Sequence, residues 1–347
     1  MKKGFGLFTI ICICLLLGVA CSKSTSKEAD TYETESEKIK IGLSVDSFLI
    51  ERWQREKDLF VSCAKELGAE VNVQDANGNV EEQIEQVEYL IKEKVDVITI
   101  IPIDANKLSR VIKKAKKSGI KVIAYDRIVS NANVDLYISF DNRKVGKLMA
   151  QSLVETVPEG GNVLMIGGPL TDHNVTQITE GFEEVINNSS LAVADKVYLE
   201  QWLPERAFAL TNEKIRQSYE IDGIMCGNDG LAGQAIKALA ENRLAGKVSV
   251  VGQDADLEAC QRIVEGTQTM TVYKPVNQLA KQAAEYAVML AKGKTLDLNE
   301  NFFDGTYLVP YKRLEPTAVT KENIDEVIIE DGFHLREDVY LNIPDKK

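Results

Sequence analysis

The feature that most constrains this chain is a regular alternation of short apolar segments with longer segments of helical periodicity. Residues 95–102 are almost continuously apolar, whereas residues 51–67 place Trp53, Phe60 and Leu67 on one face of a helix. A strand that is apolar on both faces needs cover on both faces, which a parallel sheet between two helical layers provides. The alternation therefore predicts an α/β protein with doubly wound parallel sheets.

The same alternation occurs twice, because it restarts near residue 163 and continues to about residue 273. The length of 347 residues suits two domains. The 41 basic and 53 acidic residues give a net charge of −12, and 44% of the residues are hydrophobic. This balance excludes a disordered chain and a protein of many membrane spans. It also predicts no nucleic-acid partner, since the chain has no dense basic cluster.

The first twenty residues predict an export signal, because two lysines precede an uncharged apolar run at 5–20. The run ends in Gly18-Val19-Ala20-Cys21, which resembles the lipobox of bacterial lipoproteins, where the cysteine is acylated and begins the mature chain. Residues 21–38 are rich in Ser, Thr, Lys and Glu, so they would form a flexible tether. An ordinary signal peptide with an incidental cysteine is the alternative.

Polar side chains follow the apolar strands at the point where each strand ends. In open parallel sheets ligands bind beyond the carboxyl ends of the strands, so these residues are expected to collect at one edge. In the first unit they are Asp46, Arg52-Trp53 and Asp126-Arg127. In the second unit they are Asp172-His173-Asn174, Gln201-Trp202, Asn228-Asp229, Gln253-Asp254 and Tyr273-Lys274.

Several long runs in residues 39–334 closely resemble the periplasmic sugar-binding proteins of ABC importers, and within them the D-xylose binders. They include Glu51-Arg52-Trp53-Gln54, Ala124-Tyr125-Asp126-Arg127, Tyr137-Ile138-Ser139-Phe140-Asp141-Asn142, Gly252-Gln253-Asp254-Ala255-Asp256 and the ten residues from Gly266 to Pro275. The resemblance implies a type I periplasmic binding protein fold, with two lobes joined by three crossings and a ligand held between them. It also implies a binding protein and not an enzyme.

The resemblance further implies which residues contact the ligand. They are Arg52, Trp53, Asp126, Arg127, Asp172, Asn174, Trp202, Asn228, Asp254 and Lys274. The expected ligand is a neutral monosaccharide, D-xylose or a close aldose, with no cofactor and no metal. His173 stands where D-xylose binders tend to have asparagine, so its effect on specificity stays open.

The resemblance and the chain pattern together predict the domain boundaries. Residues 39–140 plus 275–301 would form the N-terminal lobe, residues 141–274 plus 302–335 the C-terminal lobe, and residues 336–347 a tail. The crossings would lie near 139–142, 272–275 and 301–303. The expected protein is a monomer, anchored to the outer face of the cell membrane through lipid on Cys21, or periplasmic if Cys21 is not acylated. Its expected partners are an ABC permease and the ATPase of that permease.

The residues implied to contact the ligand suit a sugar chemically. Carboxylates accept hydrogen bonds from hydroxyl groups, cations donate, amides do both, and indoles cover the apolar face of the ring. The charges of Asp126, Asp172 and Asp254 balance those of Arg52, Arg127 and Lys274, which predicts a neutral ligand. The other four implied contact residues carry no charge.

Other functions and local interpretations stay open. A sensory receptor that presents sugar to a membrane kinase or chemoreceptor would use the same clamp, whereas a cytoplasmic repressor conflicts with the export signal. Two distant histidines and the absence of nucleophile or Walker motifs argue against an enzyme such as a glycosidase.

Several of the polar and aromatic residues also have a structural interpretation. Asp126 and Arg127 could form an ion pair, and Asn228 could cap a helix. Trp53 or Trp202 could be a core residue, and residues 254–265 could form a calcium loop.

Overall fold

The computed structural model describes residues 38–218 and 220–343. The predicted signal at 1–20, Cys21 and the tether up to residue 37 lie outside this part of the chain. Within the described ranges, no helix is both long and apolar enough to cross a membrane.

The described elements alternate between strand and helix over most of the chain. In chain order they are β1 (Ile39–Val45), α1 (Glu51–Glu66), β2 (Ala69–Asp75), α2 (Val80–Lys92), β3 (Val97–Ile100), α3 (Ser109–Lys117), β4 (Lys121–Tyr125), β5 (Leu136–Phe140), α4 (Asn142–Thr156), β6 (Gly161–Gly167), α5 (His173–Ile186), β7 (Leu191–Tyr198), α6 (Pro204–Arg216), β8 (Gly223–Cys226), α7 (Asp229–Glu241), β9 (Ser249–Gln253), α8 (Leu257–Glu265), β10 (Met270–Tyr273), α9 (Val276–Ala291), β11 (Glu300–Phe303), β12 (Leu308–Leu314), β13 (Thr317–Val319), a π-helical turn (Asp325–Ile329) and α10 (Arg336–Val339).

The strands form two sheets, one in each lobe. The described strands of the first sheet lie in the order β11-β12-β5-β4-β3-β1-β2, and those of the second in the order β13-β10-β9-β8-β6-β7. Pairing is parallel except for β11 with β12 and β10 with β13. The α/β, doubly wound architecture predicted from the sequence is therefore confirmed, with mixed and mostly parallel sheets.

Helices cover both faces of the first sheet, which accounts for its apolar strands. On one face α2 and α3 bury Leu90 and Ile112 against the strands, and on the other α1 and α9 bury Phe60 and Leu279. Full burial of one such side chain is worth about 1.5–3 kcal/mol. The second sheet is covered in the same way by α4 and α5 on one face and by α7 on the other.

Two glycines let α4 and α5 pack with their backbones in contact. A Cβ atom on Gly146 would lie 2.0 Å from the carbonyl oxygen of Ile178, and one on Gly181 would lie 2.0 Å from that of Arg143. Any larger residue would push the two helices apart. This close packing matters for the site, because α5 begins directly after Asp172 and carries Asn174.

The lobe boundary near the C-terminus differs from the sequence prediction. Residues 302–314, which the sequence assigns to the second lobe, pair in the first sheet: β12 runs parallel to β5, and β11 pairs with β12. The third crossing therefore lies between Leu314 and Thr317, because β13 joins β10 of the second sheet. Strand partners so distant along the chain leave no local sequence signal.

The predicted tail also differs from expectation where the structure describes it. Within α10 and the residue after it, Val339 and Tyr340 are buried and belong to the same apolar cluster as Ile263 and Val264 of α8. Residues 336–343 are thus a packed part of the fold.

Candidate functional site

A cavity of about 350 Å³ lies between the carboxyl edges of the two sheets. All ten contact residues implied by the resemblance line it, and five of them are the first or second residue after a strand. Ile50, Asn142, Ile178 and Gln253 complete the lining. The structure thus brings all ten predicted contact residues together, from both lobes, around one cavity.

Two aspartates, one in each lobe, occupy equivalent positions directly after a strand. Asp126 follows β4 and Asp254 follows β9, and both have positive φ angles, 61° and 102°. Non-glycine residues seldom adopt this conformation, which costs on the order of 1–3 kcal/mol and tends to occur at functional sites. Each is held by its backbone N–H, which donates to Ile138 at 2.8 Å and to Val272 at 2.9 Å respectively.

Arg52, in the first turn of α1, bridges these two carboxylates across the lobes. Its Nη2 lies 2.9 Å from Oδ1 of Asp126, and its Nη1 lies 3.5 Å from Oδ1 of Asp254. Lys274, at the second crossing, places its Nζ 2.6 Å from the same oxygen of Asp254. Burial opposes ionisation of Asp126, yet Arg52, Lys274 and Arg127 hold its pKa below the ordinary value.

Arg52 is itself held from behind by Glu56, one helical turn further along α1. The Glu56 carboxylate accepts hydrogen bonds from Nε of Arg52 and from the hydroxyl group of Tyr125. Burial raises the pKa of Glu56, against the attraction of Arg52. Glu56 does not line the cavity, and the sequence analysis does not include it. Its i, i+4 spacing from Arg52 is the signal that could have indicated it.

Arg127 forms a second bridge between the lobes. Its Nη1 lies 2.6 Å from Oδ2 of Asp46 in the same lobe, and its Nε lies 2.7 Å from Oδ2 of Asp172 in the other. Burial raises the pKa values of Asp46 and Asp172, and Arg127 counteracts that rise. The alternative of an Asp126–Arg127 ion pair is wrong, because Arg127 pairs with Asp46 and Asp172 while Asp126 pairs with Arg52.

Amide side chains extend the polar lining. Asn174 donates from Nδ2 to both the carbonyl oxygen and Oδ2 of Asp126, each at 3.1 Å, and so links α5 to the first lobe. Asn142 donates to Oδ1 of Asn174 at 3.0 Å. Asn228 caps α7, since its Oδ1 accepts from the N–H of Leu231 at 2.9 Å, and it lines the cavity as well. Capping and cavity lining are therefore compatible at Asn228.

Two indoles form apolar walls of the cavity. Trp53 is 2% exposed and belongs to the core of the first lobe, and the Arg52 guanidinium lies 4.3 Å from its ring centroid. Trp202 packs on Gly168, where an added Cβ would lie 2.3 Å from the indole. Within the described residues, Nε1 of both indoles and Oε1 of Gln253 are buried without a hydrogen-bond partner. Such atoms in cavity-lining residues suit a polar ligand.

Comparison with known proteins identifies the family. A periplasmic binding protein domain matches residues 41–295. The D-xylose-binding periplasmic protein of Haemophilus influenzae is 45% identical over 310 residues, 88% of this chain and 93% of that protein. The chain belongs to the periplasmic sugar-binding proteins.

Other members of this family agree in sequence and in fold. The D-xylose-binding periplasmic protein of Escherichia coli K12 is 44% identical over 89% of this chain and 95% of its own length. Among solved structures, an ABC transporter solute-binding protein from Clostridium phytofermentans with bound β-D-glucose superposes with a TM-score of 0.80. It is 26% identical and covers 86% of this chain and 99% of that chain. Proteins of this kind bind solutes and are not enzymes.

Two polar residues that line the cavity of this sugar-binding protein, Gln253 and Asn142, are missing from the predicted contact set. Gln253 is the last residue of β9 and stands at a strand end, although the predicted contact set omits it. Asn142 follows β5 at the first crossing. The strand-end rule could have identified both, whereas Ile50 and Ile178 carry no chemical signal.

His173 lies outside the set of residues that line the cavity. Its ring is edge-on to Phe302 of the first sheet, with centroids 6.0 Å apart. Burial lowers the pKa of His173, and Asp172 and Glu180 oppose that change. His173 is therefore placed to act on the contact between the lobes and not on the ligand directly.

The interpretation of residues 254–265 as a calcium-binding loop is wrong. Leu257–Glu265 is an α-helix, so the backbone does not wrap around an ion as such a loop requires. Within residues 38–218 and 220–343, no three His, Cys, Asp or Glu side chains group as a metal site.

Proposed function

We propose that this protein captures D-xylose, or a closely related neutral aldose, by closure of its two lobes and delivers it to an ABC permease and the ATPase of that permease. One observation carries the proposal: every contact residue implied by the resemblance lines a single cavity between the lobes. The relatives in Haemophilus influenzae and Escherichia coli that are named as D-xylose-binding proteins support this choice of sugar.

The cavity has the donors and acceptors that a pyranose needs. Asp126 and Asp254 can accept from neighbouring hydroxyl groups, Arg52 and Lys274 can donate to ring and hydroxyl oxygens, and the indoles can cover the C–H faces. A hydroxyl group missing from the sugar would leave buried polar groups unpaired, which is the basis for selectivity.

The charges around the cavity favour a neutral ligand. Three cations balance three aspartates in the lining, and Asp46 and Glu56 behind them add only negative charge. A sugar acid or sugar phosphate would meet no cation that is not already paired. Titration calorimetry with D-xylose, a uronic acid and a sugar phosphate tests this, and tighter binding of either anion would contradict it.

A thermal-shift screen over aldopentoses and aldohexoses tests the ligand. At 100 times its Kd, a sugar that binds only the folded state stabilises it by about 2.7 kcal/mol. We expect D-xylose to give the largest shift. No shift with any aldose would exclude the proposed function.

Arg127→Ala should abolish the sugar-dependent shift. It should also lower the midpoint without sugar, because it leaves Asp46 and Asp172 buried without their cation. Arg143→Ala is the matched control, since Arg143 lies on the surface of α4 and pairs with Glu180. A full sugar response in Arg127→Ala would contradict its contact role.

The partner and the anchor need separate tests. Co-purification with a permease and its ATPase supports import, whereas exclusive capture by the outer domain of a sensor kinase would refute it. We propose that Cys21 is acylated and holds the protein at the outer face of the cell membrane. Mass spectrometry of the mature N-terminal peptide tests this, and an unmodified Cys21 or cleavage elsewhere would contradict it.

A further inference from the structure

A second, larger cavity adjoins the one that we assign to the sugar. Its volume is about 910 Å³, part of which is open to solvent, and it shares Ile50, Arg127 and Trp202 with the inner cavity. We call it the outer cavity. Its walls come from both lobes, with Leu49 and Ile103 on one side and Thr171 and Leu203 on the other.

The outer cavity persists although the lobes are closed. Arg127 pairs with Asp172 across the cleft at 2.7 Å, and the N–H of Ala105 donates to the carbonyl oxygen of Thr171 at 3.0 Å. Thr171 lines the outer cavity itself. A group in this space therefore would not have to hold the lobes apart, and closure around the inner cavity could proceed with the outer one filled.

The lining of the outer cavity selects the kind of group that fits it. Leu49, Ile103 and Leu203 offer apolar surface, and Leu49 remains 56% exposed in the closed structure. Asn77 and Gln201 add amide side chains. This combination matches a sugar ring, which has an apolar C–H face and hydroxyl groups at its edge.

Charge argues against an anionic group in the same place. Arg127 is the cation of the lining, and it is already shared between Asp46 and Asp172. Asp46 and Glu200 contribute acidic groups to the lining. A phosphate or carboxylate there would meet negative charge with no unpaired cation to balance it.

We propose that the outer cavity is a second sugar subsite, so that the protein also binds a neutral disaccharide with one ring in each cavity. The linkage between the rings would pass the shared residues Arg127 and Trp202. This proposal rests on the proposed function, because it places the first ring in the inner cavity.

Titration calorimetry of the full protein with D-xylose and with xylobiose tests the proposal. We expect xylobiose to bind with a Kd within about tenfold of that of D-xylose, because the contacts of the second ring offset its ordering. The double variant Leu49→Ala/Leu203→Ala should raise the Kd for xylobiose about fivefold and leave that for D-xylose unchanged, since it removes apolar contact only from the outer cavity. Leu170→Ala is the control: Leu170 is 59% exposed, lies between Pro169 and Thr171, and does not line the outer cavity.

Three results would overturn the proposal. Binding of D-xylose without xylobiose would show that the outer cavity holds no second ring. An unchanged Kd for xylobiose in the double variant would place the second ring elsewhere, and an equal loss for both sugars would assign the leucines to closure. If a folded protein binds neither sugar, the proposed function itself fails, and that result is distinct from the other three.

Discussion

At the scale of single residues, carboxylates from both lobes hold Arg52 in one orientation. Its guanidinium lies between Asp126 and Asp254, which come from different lobes, while Glu56 holds its Nε. A side chain with three fixed hydrogen-bonding directions needs partners on all sides to keep one rotamer. Glu56 supplies the partner that faces away from the cavity, so it should affect ligand binding without touching the ligand.

Glu56→Gln tests this positioning role. The amide loses the charge that pairs with Arg52 and has one acceptor oxygen for two donors, so we expect about tenfold weaker sugar binding by calorimetry. Tyr125→Phe keeps the Glu56–Arg52 pair and should weaken binding less. Glu258→Gln is the control, because Glu258 is exposed and forms a longer i, i+4 contact with Arg262. Wild-type affinity in Glu56→Gln would rule out the role.

The sequence predicts the residues of the site better than their pairing. The strand-end rule and the resemblance locate ten of the fourteen residues that line the cavity, because polar groups after buried strands are conspicuous. They do not reveal that Arg127 pairs with Asp46 and Asp172 and not with its neighbour Asp126. Ion-pair partners depend on side-chain direction in three dimensions, for which adjacent position in the sequence is no guide.

At the scale of elements, a helix cap of the second lobe also lines the cavity. Asn228 caps α7 and lines the cavity, whereas Asn79 caps α2 away from it by accepting from the N–H groups of Glu81 and Glu82. Each cap is worth about 1 kcal/mol. Comparing the two asparagines therefore separates the stabilising effect of a cap from any effect on the cavity.

Asn228→Ala and Asn79→Ala form a matched pair for this test. Both should lower the free energy of unfolding by about 1 kcal/mol in urea denaturation. Only Asn228→Ala should weaken sugar binding, by about tenfold in calorimetry, because only it also removes a hydrogen-bonding group from the cavity. Equal affinities in the two variants would restrict Asn228 to capping.

Asp229 connects several elements of the second lobe and should make stability depend on pH. It accepts hydrogen bonds from Thr271 of β10, from Gln268 and from the N–H of Asp256. Burial raises its pKa from 3.8 to about 7, and hydrogen bonding and Arg262 counteract that rise. Between these two values the folded state keeps a proton that the unfolded state releases. The contribution of Asp229 to stability therefore decreases as pH rises from about 4 to about 7.

Urea denaturation of the wild type and of Asp229→Asn across this pH range tests that dependence. The amide does not titrate, so the variant should gain stability relative to the wild type as pH rises from about 4 to 7, and the difference should be constant above 7. The repulsion that Asp229 exerts on Asp256 acts in the same direction. Parallel stability curves for the two proteins would show that Asp229 does not keep its proton on folding.

The sequence predicts most elements but not the course of the chain after α9. Local periodicity identifies the alternating strands and helices, because each buried face leaves its own pattern. The hairpin of β11 and β12 pairs with β5, more than 150 residues earlier, and this choice leaves no local pattern. The misplaced third crossing follows from this, and so does the assignment of Phe302 to the wrong lobe.

At the scale of the whole molecule, the corrected lobe boundary shows that His173 contacts the opposite lobe. Because Phe302 belongs to the first sheet, the contact of His173 with Phe302 joins the two lobes. It lies beside Asp172 and Asn174, which bridge the same cleft to Arg127 and Asp126. Contacts made only in the closed state increase its population, and the apparent affinity for any ligand of that state increases with it.

His173→Ala should therefore weaken the binding of every sugar by the same factor. An aromatic contact of this geometry is worth about 0.5–1.5 kcal/mol, which corresponds to about two- to tenfold in Kd. Calorimetry with D-xylose and with a weaker aldose should show an unchanged ratio of the two Kd values, and small-angle scattering without sugar should show a larger radius of gyration than that of the wild type. Phe303→Ala is the control, since Phe303 is the next residue of β11 and is 61% exposed. A changed ratio of Kd values would instead make His173 a determinant of sugar specificity, acting through the neighbouring Asp172 and Asn174.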